Sequence, residues 1–282
     1  RLDEITTGGY TLLEVPVTRQ TLVHVHAGAE ELGRVYAARL PINSGMAQFA
    51  GALKHVRVSG ERWQEWTRAA RADYEAWCAP RPMPGQVQLG EIAAWLSDTL
   101  PEEAIVTNGA GNFAVWLNRH FRYKRGRTQL APTSGSMGYS VPSAVAASIA
   151  FPRRTVVAWA GDGDFLMNGQ ELATAAQYGA APIVVVVNNG MYGTIRMHQE
   201  REYPERVSGT ELKNPDFAAY ARAFGGHGER IEETAQFAPA FERARASGKL
   251  AVIEVRIDPE AITPNTTLSA IRGNALAARR AR

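Results

Sequence analysis

Residues 155–193 read TVVAWAGDGDFLMNGQELATAAQYGAAPIVVVVNNGMYG, and this stretch decides the fold. Its two apolar runs, 155–160 and 183–187, are of strand length, and the second is almost entirely β-branched. Uninterrupted runs of this kind belong to strands buried on both faces. Between them the spacing predicts a helix over 168–179, which makes the whole a βαβ unit. Such a crossover is right-handed and joins parallel strands. Asp162 and Asn189, which follow the two strands, therefore emerge on one edge of the sheet, the edge where open α/β sheets bind their ligands.

Working outward, the same alternation continues on both sides. Helices are expected at 89–99, 112–121, 141–150, 215–224 and 234–246, and strands at 104–107, 228–232 and 250–255. Strands alternating with helices predict an α/β fold, a doubly wound, mostly parallel sheet with helices on both faces. Nearer the start, 20–25 reads as a strand and 29–35 has helical spacing, a βα unit ending near Leu40 and Pro41, with a helix over 45–56. Trp63, Trp66, Ala70 and Trp77 recur at helical intervals and are expected to pack a linker helix against the core. The proline-rich run 79–85 breaks any helix and is expected as the domain boundary.

Composition sets wide bounds. The chain has 282 residues, 45% of them hydrophobic, with a formal charge of +3. That suits a packed globular protein of one large domain, or one and part of another, and demands no nucleic acid. Cys78 is the single cysteine, so no internal disulfide is possible and an intracellular, cytoplasmic protein is expected. Without an apolar run of about 18 residues, neither a signal peptide nor a membrane span is expected. The opening Arg1-Leu2-Asp3-Glu4, followed soon by a strand, reads as a fragment of something longer.

The residue types at the sheet edge suggest a ligand. One carboxylate (Asp162), one amide (Asn189) and nearby backbone carbonyls form an all-oxygen set suited to Mg²⁺ or Ca²⁺; zinc would want Cys or His. Mg²⁺ takes one or two carboxylates and completes its shell with phosphate oxygens and water. Gly161 and Gly163 permit close backbone approach, and the helix expected from Asn168 adds amide donors at its N-terminus. The expected ligand is a diphosphate carried on magnesium. Alone, Gly-Asp-Gly would be a strand-ending turn; the Asn pair some two dozen residues on, opening a Gly-rich turn, makes the motif specific.

This constellation resembles the diphosphate-binding motif of thiamine-diphosphate enzymes. By that resemblance Asp162, the Asn189 side chain and the carbonyl of Met191 bind the metal, while Gly163, Asp164, Tyr192 and Gly193 line the diphosphate. The run 134–142 resembles the family's loop under the aminopyrimidine ring: Gly135 would offer a carbonyl to the exocyclic amine, and Met137 would wedge the cofactor into a bent shape. The turn 109–116 resembles the family's first diphosphate-contacting turn, with Asn112 and Phe113 as contacts. The resemblance extends along the whole chain and is to the acetolactate synthase and benzoylformate decarboxylase group. It implies that 86–260 is the diphosphate-binding domain, 1–55 the last part of a middle α/β domain, 56–85 a linker and 261–282 a tail.

The same resemblance implies a lyase or transferase, a decarboxylase or carboligase acting on a 2-oxo acid, with thiamine diphosphate and Mg²⁺ as cofactors. It also implies a homodimer or homotetramer, in which the pyrimidine-binding domain of a second subunit completes the site. That domain carries the family's activating glutamate and has no counterpart in these residues, so the chain alone is expected to be inactive. Two departures matter. Where the group has a tryptophan after the Asn pair this chain has His198, a candidate acid/base or pocket-lining residue. Where it has acidic residues near its flavin this chain reads Val25-His26-Ala27-Gly28, which argues against FAD. A flavin-dependent 2-oxo-acid oxidase of the same family, and a non-catalytic cofactor-binding module, are the alternative readings.

Other features read more plainly. His24 and His26 share a strand face but, with no Cys or third His nearby, are expected at a domain surface. The basic runs 122–127 and 279–282 lack an aromatic platform and read as solvated faces, with no nucleic-acid or membrane partner.

Overall fold

A computed structural model describes residues 1–281; Arg282, the last of the basic run 279–282, lies outside them. The chain divides into two units, Arg1–Ala70 and Arg71–Arg282. In the first, strands β1 (Val23–His26) and β2 (Leu40–Asn43) pair in parallel, Val23 opposite Leu40 and His26 opposite Asn43, ahead of helix α1 (Met46–Leu53). Strand β2 was not expected, since Pro41 reads as a terminator; a two-stranded sheet has only edges, where a missing N–H is tolerated. The helix expected over 29–35 is a single 3₁₀ turn, Ala29–Glu31. Gly33, at a φ of +79°, ends it. His24 is buried, not superficial, and neither ring nitrogen has a partner.

Helix α2 (Gln64–Cys78) forms as the tryptophan spacing requires. The tryptophans do not pack into a core: on α2 Trp66 is 73% exposed and Trp77 about half, as is Trp63 in the 3₁₀ turn before it. The only buried residue of α2 is Cys78. Trp77 instead lies under the Arg119 guanidinium, 3.9 Å from the ring centroid.

The second unit is the α/β sheet. In chain order its elements are α3 (Leu89–Thr99), β3 (Ile105–Asn108), α4 (Asn112–His120), β4 (Gln129–Leu130), α5 (Ser140–Ala150), β5 (Val156–Gly161), α6 (Asp162–Asn168), α7 (Leu172–Tyr178), β6 (Ile183–Asn188), α8 (Gly193–Glu202), α9 (Phe217–Ala223), β7 (His227–Ile231), α10 (Phe237–Ala246), β8 (Ala251–Arg256) and α11 (Leu268–Arg280). The six strands run in the order β4-β3-β5-β6-β8-β7, every neighbouring pair parallel. Each expected strand is present, shifted by at most a residue or so.

Side chains alternate across the central strands and feed two separate cores. Val157, Trp159, Val185 and Ile253 face α3, α4 and α10, where Trp116, Leu117, Phe237 and Phe241 meet them. Val156, Ala158, Val184 and Val186 face the other way, against Val141, Phe165, Leu172 and Phe217 of α5, α6, α7 and α9. Trp159 and Phe165 are wholly buried; removing a ring of that size from a packed core costs about 3–5 kcal/mol. Helices on both faces of a parallel sheet are thus a packing result, not only a pattern.

The helix expected over 168–179 differs in a way that matters. The chain turns from β5 straight into α6 at Asp162, passes through a 3₁₀ turn at Gly169–Glu171, and resumes as α7. Gly161 caps α6 in an extended conformation, and Asp162 and Asp164 occupy its first turn, where carboxylates suit the helix dipole. Strand β4 and helices α8 and α11 were not delineated from sequence. The proline-rich segment does not separate the units: the Gln88 side chain binds the Met83 N–H and carbonyl (both 2.8 Å) and the Gly85 carbonyl (2.9 Å), and Met83 packs on the core. Among the described residues no helix is long and apolar enough to cross a membrane.

Candidate cofactor site

At the carboxyl edge, Gly161 pairs with Val187, so β5 and β6 end side by side and deliver Asp162 and Asn189 to one place. A cavity of about 240 Å³ opens there. Its lining includes Asn112, Phe113, Gly135, Met137, Gly161, Asp162, Gly163, Asp164, Asn189, Met191, Tyr192 and Gly193. Twelve of the thirteen residues singled out from sequence therefore converge. The thirteenth, His198, is exposed on α8 and does not line the cavity.

Asp162 is 3% exposed. Its Oδ1 accepts from the Gly163 N–H (2.9 Å), and its Oδ2 accepts from the Gly190 N–H (2.9 Å) and Asn214 Nδ2 (2.7 Å). Burial pushes its carboxyl above the usual carboxylate range, against the pull of those donors. No lysine or arginine among the described residues forms an ion pair with it. A buried carboxylate without a countercharge is costly, and a divalent cation would remove that cost. Asn189 Oδ1 accepts from the Met191 N–H at 3.2 Å, which tightens the turn and keeps the amide at the cavity wall. No cluster of three or more His, Cys, Asp or Glu side chains occurs among the described residues. The Asp162 carboxylate, the Asn189 amide and backbone carbonyls of the edge could hold a hard cation such as Mg²⁺ and offer a transition metal little.

Asp164 lines the cavity and also holds a neighbouring loop. It is 1% exposed, and its oxygens accept from the Gly138 N–H (2.7 Å) and Ser140 Oγ (2.6 Å). It thereby anchors the loop carrying Gly135 and Met137 to the first turn of α6. Gly161 and Gly163 are close-approach positions, but to protein rings. A Cβ on Gly161 would lie 2.6 Å from the Phe113 ring, and one on Gly163 would lie 2.6 Å from Tyr192.

Residues missed from sequence complete the site. Thr194 Oγ1 accepts from the Asn112 N–H (2.9 Å) and donates to Asn112 Oδ1 (3.0 Å), clamping the N-terminus of α4 to that of α8. Trp116, Ile257 and Ile262 add apolar wall. Asn214, behind Asp162, also donates to Asn188 Oδ1 (2.9 Å). Its only trace in the sequence is an Asn before Pro215, which reads as a helix-start signal.

A parallel α/β sheet with this edge defines a class, and comparison with known proteins names it. Residues 109–255 match the family model described as thiamine pyrophosphate enzyme, C-terminal TPP binding domain, and the chain belongs to that family. Thiamine pyrophosphate and thiamine diphosphate are the same molecule. Among its relatives are the acetolactate synthase large subunit of Parasynechococcus marenigrum (strain WH8102), 34% identical over 83% of this chain and 38% of that protein. Acetolactate synthase isozyme 2 large subunit of Escherichia coli (strain K12) is 29% identical over 92% of this chain and 46% of its own length. The putative thiamine pyrophosphate-containing protein YdaP of Bacillus subtilis (strain 168) is 31% identical over 72% and 34%. The chain thus spans less than half the length of these relatives.

Proposed function

We propose that the chain is the diphosphate-binding part of a Mg²⁺- and thiamine-diphosphate-dependent decarboxylase or carboligase acting on a 2-oxo acid, of the acetolactate synthase kind. The observation that supports this most directly is Asp162, a buried carboxylate with no cationic partner, at the wall of a cavity built from two strand ends. When bound, the cofactor supplies a nucleophilic carbon and an electron sink for breaking or making a bond beside a carbonyl. The protein's residues do the holding. Asp162, the Asn189 amide and the Met191 carbonyl would carry the cation, and Gly163, Tyr192 and Gly193 the diphosphate. Met137 would wedge the cofactor, and Gly135 would offer its carbonyl. Phe113, Trp116, Ile257 and Ile262 keep water from the wall, which strengthens every charge interaction inside.

The metal shell in this reading is completed by the diphosphate, so the two bind interdependently. Calorimetric titration tests it: thiamine diphosphate should bind at least tenfold more tightly with Mg²⁺ than in a chelator. Equal affinity in both would refute the reading. The 282 residues alone are proposed to bind without turnover, since no residue here matches the family's activating glutamate; decarboxylation of pyruvate by this stretch alone would contradict that. The complete protein is proposed to be at least a homodimer, with a second subunit closing the carboxyl edge; a strictly monomeric, active species in sedimentation would overturn that.

A further inference from the structure

Asp162 is held from behind by a chain of side chains whose hydrogen-bond direction is set at its far end. Glu254, on β8, is fully buried and accepts from Arg230 Nε at 2.9 Å. Asn188 Nδ2 donates to its other oxygen at 2.7 Å. A carboxylate paired with arginine can only accept, so the Asn188 amide must turn its nitrogen toward Glu254 and its oxygen away. That oxygen then accepts from Asn214 Nδ2 at 2.9 Å, and the same nitrogen reaches Asp162 Oδ2 at 2.7 Å. Flipping Asn214 would set its oxygen against two acceptors, so its orientation is determined as well.

The consequence falls on Asp162. Oδ2 accepts from two N–H groups, Asn214 and Gly190, the latter shared with Asn188 Oδ1 at 3.0 Å, whereas Oδ1 has one donor, Gly163. We infer that Asn214 is a positioning residue for cation choice. By giving Oδ2 its shorter, side-chain donor it disfavours ligation through that oxygen and leaves Asp162 to bind a cation through Oδ1. Mg²⁺ accepts single-oxygen carboxylate ligands in a tight octahedron, whereas Ca²⁺ draws on two-oxygen carboxylates and larger shells. Asn214, aligned by Glu254 through Asn188, therefore favours Mg²⁺ over Ca²⁺. This rests on the reading that Asp162 carries the cation.

The test is calorimetric titration with Mg²⁺ and with Ca²⁺, each at saturating thiamine diphosphate, on wild type, Asn214→Ala and Asn214→Leu. Partners behind a ligand typically change metal affinity by about 10–100-fold. Both variants should lose Mg²⁺ affinity in that range, and their Mg²⁺-to-Ca²⁺ affinity ratio should fall at least tenfold. Asn214→Leu keeps the bulk but not the donor and adds no charge, so a space-filling role predicts a wild-type ratio in that variant. The ratio is unaffected by the fraction of chain that is folded. A wild-type ratio in either variant, or equal loss for both cations, overturns the inference. Failure of wild type to bind either cation would instead overturn the reading beneath it.

Discussion

Two buried carboxylates, Asp162 at the start of α6 and Glu200 in α8, are treated in opposite ways by the same fold. Glu200 is fully buried and is met by Arg196 Nη2 and Arg272 Nη2, both at 2.7 Å, by Arg272 Nε at 2.8 Å and by the Glu205 N–H at 3.1 Å. Hydrogen bonding from Arg272 above all brings its carboxyl down to about 2. Asp162 has only neutral donors, and burial raises it. One charge is completed within the chain and fastens α11 to α8. The other is left incomplete, which is the ground for proposing that an added cation completes it.

The comparison can be broken most sharply at Asp162. Asp162→Ala should lower Mg²⁺-dependent affinity for thiamine diphosphate by a hundredfold or more, because it removes the only carboxylate of the donor set; wild-type affinity in calorimetry would erase the contrast. Next in size is Glu200→Gln, which leaves two arginines without their acceptor and should cost about 3 kcal/mol in denaturant unfolding at neutral pH. The sign with pH follows from the lowered carboxyl: Glu200's stabilisation is full above its ordinary value of 4.5 and lost as pH falls toward about 2. The gap between wild type and variant should therefore close over that interval, and a gap independent of pH would show that the charge is not what stabilises.

Asp162 has the opposite sign. Raised by burial, it takes up a proton above the ordinary 3.8, so Mg²⁺ affinity at saturating cofactor should begin to weaken at a pH higher than an exposed aspartate would dictate. Titrations stepped downward from pH 8 check this; weakening confined to below pH 4 would contradict it. The smallest effect is expected at Thr194→Val, which deletes two neutral hydrogen bonds to Asn112 worth about 1 kcal/mol each. Cofactor affinity should fall a few-fold to tenfold, with the unfolding midpoint little changed.

Much of this was legible in advance because its signals are local. The apolar runs 155–160 and 183–187 could only be buried strands, and a parallel crossover had to bring Asp162 and Asn189 to one edge. What failed was whatever depended on the other side of a contact. Trp63, Trp66 and Trp77 have the spacing of a packed stripe, yet spacing does not say whether a surface waits to receive it. His24 looked superficial because a two-residue period marks a face without saying which face is inward. Likewise nothing along the chain reveals that Gly138 and Ser140 fold back onto Asp164.

The sequence by itself thus determined the parallel α/β sheet, the edge at which the cavity opens and the oxygen-rich character of that edge, since each follows from hydrophobic period, chain handedness and residue type. Tertiary structure alone decided which oxygens remain free. Two of the donors on Asp162 come from Gly190 and Asn214, its alignment traces back to Glu254 on a different strand, and one partner of Glu200 is Arg272 on the last helix. Hydrogen bonds and ion pairs form within about 3–4 Å in space whatever the separation along the chain, so the state of a buried charge is settled only when distant segments meet.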